Sequence, residues 1–95
     1  MNVQEHLVCR LSPFPFVKKI ILFGSRARGD HQTKSDFDIA IDCPEANFDD
    51  WIDLLQTTEK IPTLLSIQII RYNTSSKELQ DRIKEEGVIL YEQKS

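Results

Sequence analysis

Hydrophobic positions along this chain change period several times, and each change marks an element. Val3, Leu7 and Leu11 recur every fourth residue, which predicts a short amphipathic helix that Pro13 and Pro15 stop. Lys18 to Phe23 ends in four consecutive apolar residues, the pattern of a strand covered on both faces. Asp36 to Asp42 alternates, so Phe37, Ile39 and Ile41 are expected toward the core and Asp36, Asp38, Ala40 and Asp42 on the accessible face. Phe48, Trp51, Ile52 and Leu55 then follow at helical spacing, with Asn47 as N-cap and Asp49 and Asp50 at the positive end. Leu64 to Tyr72 reads as a third strand. Leu65, Ile67 and Ile69 take one side, Ser66, Gln68 and Ile70 the other, and Arg71 and Tyr72 close it at the surface. A capping box of Ser75 and Glu78 opens a last helix with Leu79 and Ile83 as its apolar stripe. Gly87 stops it before a strand from Val88 to Tyr91.

The sum is three helices and four strands, an α/β (α+β) arrangement around a small mixed sheet. At 95 residues the expectation is one domain spanning 1–95. Phe14, Phe16, Phe48 and Trp51 read as core aromatics. The net charge of −3 comes from interspersed charges of both signs, which leaves no whole-molecule attraction to nucleic acid or an anionic membrane. The sequence has neither an apolar run of transmembrane length nor a secretory leader pattern, so a cytoplasmic location is expected. Cys9 and Cys43 lack CxxC spacing and read as packing residues.

Candidate chemistry concentrates between Gly24 and Asp38 (GSRARGDHQTKSDFD). Gly24 and Ser25 fall where the first strand ends and backbone N–H groups become available to an anion. Ten residues later come Asp36 and Asp38, two apart on an extended chain and thus about 6.5 Å apart on one face, suited to a divalent cation. Gly24 and Gly29 imitate the start of a P-loop, but Asp30 and His31 stand where its Lys and Ser or Thr belong. An EF-hand is excluded by Ile41 and Asn47 at its glycine and glutamate positions. His31 is a lesser candidate for a phosphate contact.

Gly24, Ser25, Asp36 and Asp38, with the closing stretch Ser75 to Tyr91, resemble the DNA polymerase β-like nucleotidyltransferases, above all the minimal nucleotidyltransferases paired with HEPN-type toxins. The resemblance implies a polymerase β palm-like fold. It implies Mg-ATP at the site (magnesium, with manganese as the other candidate ion) and transfer of AMP to an acceptor hydroxyl on a partner HEPN toxin, this chain being the antitoxin. Asp36 and Asp38 become catalytic metal ligands, Gly24 and Ser25 approach the triphosphate, and Arg26 and Arg28 offset its charge. The family pattern also has a third carboxylate on a neighbouring strand. No Asp or Glu occurs between Ile61 and Lys77, and Gln68 takes that position. Its amide binds a cation weakly and accepts no proton from an acceptor hydroxyl. Asp42, about 13 Å along the strand from Asp38, is too far to replace it. The alternative implied is a catalytically weak or inactive nucleotide-binding antitoxin or interaction module.

Overall fold

Asn2 caps the first helix, α1 (Val3–Leu11), by accepting the Glu5 N–H at 2.8 Å, and the helix buries Leu7 and Leu11. The computed structural model describes residues 2–30 and 35–94; His31 lies outside them. Four strands, β1 (Lys19–Phe23), β2 (Phe37–Asp42), β3 (Ile67–Arg71) and β4 (Val88–Glu92), form one sheet in the order β3-β2-β1-β4. β2 and β4 run antiparallel to β1, and β3 runs parallel to β2. Parallel pairing needs a long crossover. Here it is α3 (Phe48–Glu59), capped by a reciprocal Asn47–Asp50 capping box.

The two faces of β2 divide as the alternation predicts, but the side expected to be accessible is covered at Ala40, which is fully buried. Phe37, Ile39 and Ile41 join Ile20 and Leu22 in the larger core beneath α1 and α3, while Ala40 and Ile21 pack with Ile83 of α4 (Lys77–Glu86) on the opposite face. Helices therefore cover both faces, which is why β1 is apolar from Ile20 to Phe23. β4 lies at an edge, with Leu90 as the extra residue of an irregular register between Ile20 and Ile21.

Several expectations need correction. The described residues hold four α-helices rather than three, the additional one being α2 (Ser25–Arg28), a single turn with no buried residue and so no apolar pattern to betray it. Phe48 is 75% exposed rather than in the core. The buried stripe of α3 runs through Leu54 and Thr58, with Trp51 against the core, and Phe48 lies roughly 120° round the helix from Leu54. The N-cap of α4 is Ser76, whose hydroxyl accepts the Leu79 N–H; the Ser75 hydroxyl donates instead to Arg71 O at 2.8 Å. The third strand begins only at Ile67, leaving Leu64 fully exposed. Arg71 ends β3 as expected, but its Nη2 reaches in to donate to Cys43 O (2.8 Å) and Ala46 O (2.7 Å), tying the loop after β2 to β3.

Candidate active site

β1 and β2 are antiparallel, so the end of one meets the beginning of the other, and Phe23 pairs with Asp38 in the register. That pairing brings the glycine turn to the carboxylates. Gly24 adopts φ 78°, ψ −157°, a conformation open to glycine and strained for other residues. A Cβ there would come within 2.3 Å of Asp38 Oδ2. The Asp38 carboxylate thus closes on the glycine itself, and the two halves of the Gly24–Asp38 segment are one site. Asp36 precedes β2 and is exposed; Asp38 is half-buried. On the next strand Gln68 is the register partner of Asp38. Its neighbours Ile67 and Ile69 pack into the larger core, so Gln68 projects from the Asp38 face.

Burial, and secondly the charge of Asp36, push the Asp38 carboxyl above the ordinary carboxylate range, with Arg28 partly offsetting them. For a raised acid the proton binds more tightly in the folded state. The resulting stability is complete below the unfolded pKa and is lost as pH rises through the folded value. At neutral pH, ionised Asp38 therefore works against the fold. Asp38→Asn is expected to raise the Tm of metal-free protein at pH 7, with the gap from wild type closing at pH 3. Melts in chelator at both pH values check this; a lower Tm for the variant at pH 7 would contradict it.

The arginines are committed differently. Arg26 lies over the Phe37 ring, its guanidinium carbon 4.0 Å from the centroid, and its Nε donates to Ser35 O at 3.0 Å. It braces the segment entering β2. Arg28 donates from Nε to Asp30 and from Nη1 to Glu86, each at 3.2 Å. Glu86, whose carboxylate also accepts the Gly24 N–H at 3.2 Å, escaped the sequence reading. The signal available was its place in the last turn of a helix, where the dipole disfavours an anion unless donors are supplied from elsewhere. Asp42 stands at the far end of β2, its Oδ1 accepting from Asn73 Nδ2 at 2.9 Å. A groove of about 440 Å³ at that far end, lined by Lys19, Asp42, Tyr72 and Ile89 among others, includes none of the candidate residues. Among the described residues no three His, Cys, Asp or Glu side chains gather as a metal cluster.

The polymerase β nucleotidyltransferase family model matches residues 5–95. The chain belongs to this family. It is 30% identical to the protein adenylyltransferase MntA of Aphanizomenon flos-aquae over 97% of this chain and 68% of that protein. A relative from Methanocaldococcus jannaschii is 36% identical over 56% of this chain and 53% of its own length, so the chain spans about half of that protein. Among solved structures, a toxin–antitoxin complex with AMP-PNP superposes with a TM-score of 0.77 at 21% identity, covering 98% of this chain and 75% of that one. The tri-AMPylated Shewanella oneidensis HEPN toxin in complex with MNT antitoxin gives 0.70 at 18% identity, covering 96% and 71%. These likenesses establish the nucleotidyltransferase fold for this family member. Among its described residues no helix is long and apolar enough to cross a membrane.

Proposed function

We propose that this nucleotidyltransferase domain binds Mg-ATP between the Gly24-Ser25 turn and the start of β2, and transfers AMP to an acceptor hydroxyl on a partner HEPN-type toxin in the cytoplasm. The observation that carries the reading is the closure of Asp38 on Gly24, which puts a cation-ligating carboxylate against a turn suited to phosphate. The donor set fits a magnesium or manganese ion: Asp36 and Asp38 supply oxygen ligands, and a cation would relieve the burial and repulsion that push Asp38 up. Bound there, the ion would stabilise negative charge on the entering and leaving oxygens. Ser25 donates its hydroxyl to a phosphate oxygen, and Arg28 offsets phosphate charge. Arg26 acts by holding the chain that carries Asp36. The name of the A. flos-aquae relative, and the AMP-PNP and tri-AMPylated toxin of the two solved complexes, support ATP as donor and a toxin as acceptor.

The test is an ATP titration with and without magnesium. Asp36→Asn combined with Asp38→Asn is expected to abolish the magnesium-dependent binding while circular dichroism stays native. An unchanged titration would remove the site assignment.

Gln68 favours a second reading, a nucleotide-binding antitoxin that acts by contact with little or no turnover. Intact mass of the partner toxin after incubation with Mg-ATP separates the two, since only transfer adds AMP.

A further inference from the structure

Glu86 closes α4, yet its side chain is only 19% exposed. Its Oε1 accepts the Gly24 N–H, and both carboxylate oxygens accept from Arg28 Nη1, all at 3.2 Å. The two donors are the two ends of α2, Gly24 being its N-cap and Arg28 its last residue. A four-residue helix does not hold itself in water, because nucleation costs more than one turn returns. Its geometry must come from tertiary contacts, and Glu86 is bonded to both ends. The residue beside Glu86 is itself fixed. A Cβ on Gly87 would lie 2.3 Å from Ile83 O and 2.7 Å from Ile21 Cγ2, so the end of α4 is seated directly on β1.

We propose that Glu86 is a positioning residue of the nucleotide site, clamping both ends of α2 so that Ser25 and Arg28 stand ready for the triphosphate. The inference rests on the nucleotide reading above. It assigns the Gly24 N–H to Glu86 rather than to phosphate, so that the glycine serves the site through its close contact with Asp38. A carboxylate held by two donors and four-fifths covered is a clamp rather than a stand-in that phosphate displaces, since displacement would strip a largely covered anion of its donors. Arg28 keeps charge-assisted contacts to both Glu86 and Asp30, which fix the guanidinium in place.

The experiment combines ATP titration in magnesium with hydrogen exchange of the Gly24 amide in nucleotide-free protein, followed by NMR. Glu86→Ala is expected to weaken ATP binding roughly tenfold and to speed Gly24 exchange. Glu86→Gln, whose amide oxygen still accepts the N–H but lacks charge for Arg28, should fall between. Glu85→Ala, exposed and one residue earlier, should match wild type. Wild-type affinity in Glu86→Ala overturns the clamp, and tighter binding would show that the carboxylate competes with phosphate. Wild type that binds no ATP would refute the nucleotide reading and this role with it. Gly24 exchange unaltered by Glu86→Ala would refute the clamp alone.

Discussion

Gly24→Ala is expected to cost this protein its nucleotide site as well as part of its stability. The residue sits at φ 78°, ψ −157°, a region that charges a side-chain-bearing residue about 1–3 kcal/mol. The added methyl would also lie 2.3 Å from Asp38 Oδ2, so either the turn or the carboxylate must move. Because that carboxylate is the proposed metal ligand, a loss of at least about a hundredfold in Mg-ATP affinity is expected, from misplaced ligation more than from unfolding. Gly29→Ala is the control. It too has a positive φ, 82°, but a Cβ there meets nothing within 4 Å. It should lose about 1–2 kcal/mol of stability and leave ATP binding unaltered. Denaturant unfolding and ATP titration of both variants check the contrast; full affinity in Gly24→Ala would refute it.

Replacing Gln68 by Asp is expected to raise AMP transfer at saturating magnesium by roughly ten- to a hundredfold, a part of the ~10²–10⁴ that general-base assistance contributes. Gln68 is the register partner of Asp38 and shares its face, so a carboxylate there would restore an anionic ligand and a proton acceptor beside the pair. The measurement is intact mass of the partner toxin over time, wild type against Gln68→Asp. Brisk wild-type transfer that the substitution fails to raise would mean that another group accepts the proton.

What the sequence discloses follows from which interactions are periodic. β1 and β2 were legible because burial on two faces or one writes itself into consecutive or alternating apolar residues, and the side of the sheet taken by Gln68 followed from the same rule. α2 left no trace, since none of Ser25, Arg26, Ala27 and Arg28 is fully buried, a lone Ala27 against the core makes no period, and their helix depends on partners elsewhere. Phe48 misled because α3 offers two apolar arcs, and only packing against α1 chooses the one through Leu54. Ser75 and Ser76 are equally good caps on paper; Arg71 O takes the first and leaves the second to the helix. Glu86 and Gly24 are 62 residues apart, and no local pattern encodes a bond of that span.

The strand order also governs how the molecule folds. β1 lies between β2 and β4, and its pairing of Ile20 with Tyr91 joins opposite ends of the described chain. Loop-closure entropy must be met before such contacts return anything, so the β1–β4 pairing is costlier to close than the nearer β1–β2 pairing. Glu86, which bonds Gly24, precedes β4 by two residues, so its bond depends on the same long-range closure. A chain in which that closure is lost keeps Asp36 and Asp38 but not the bond that holds the turn beside them, and nucleotide affinity is expected to vanish with the unfolding of the β1–β4 pair.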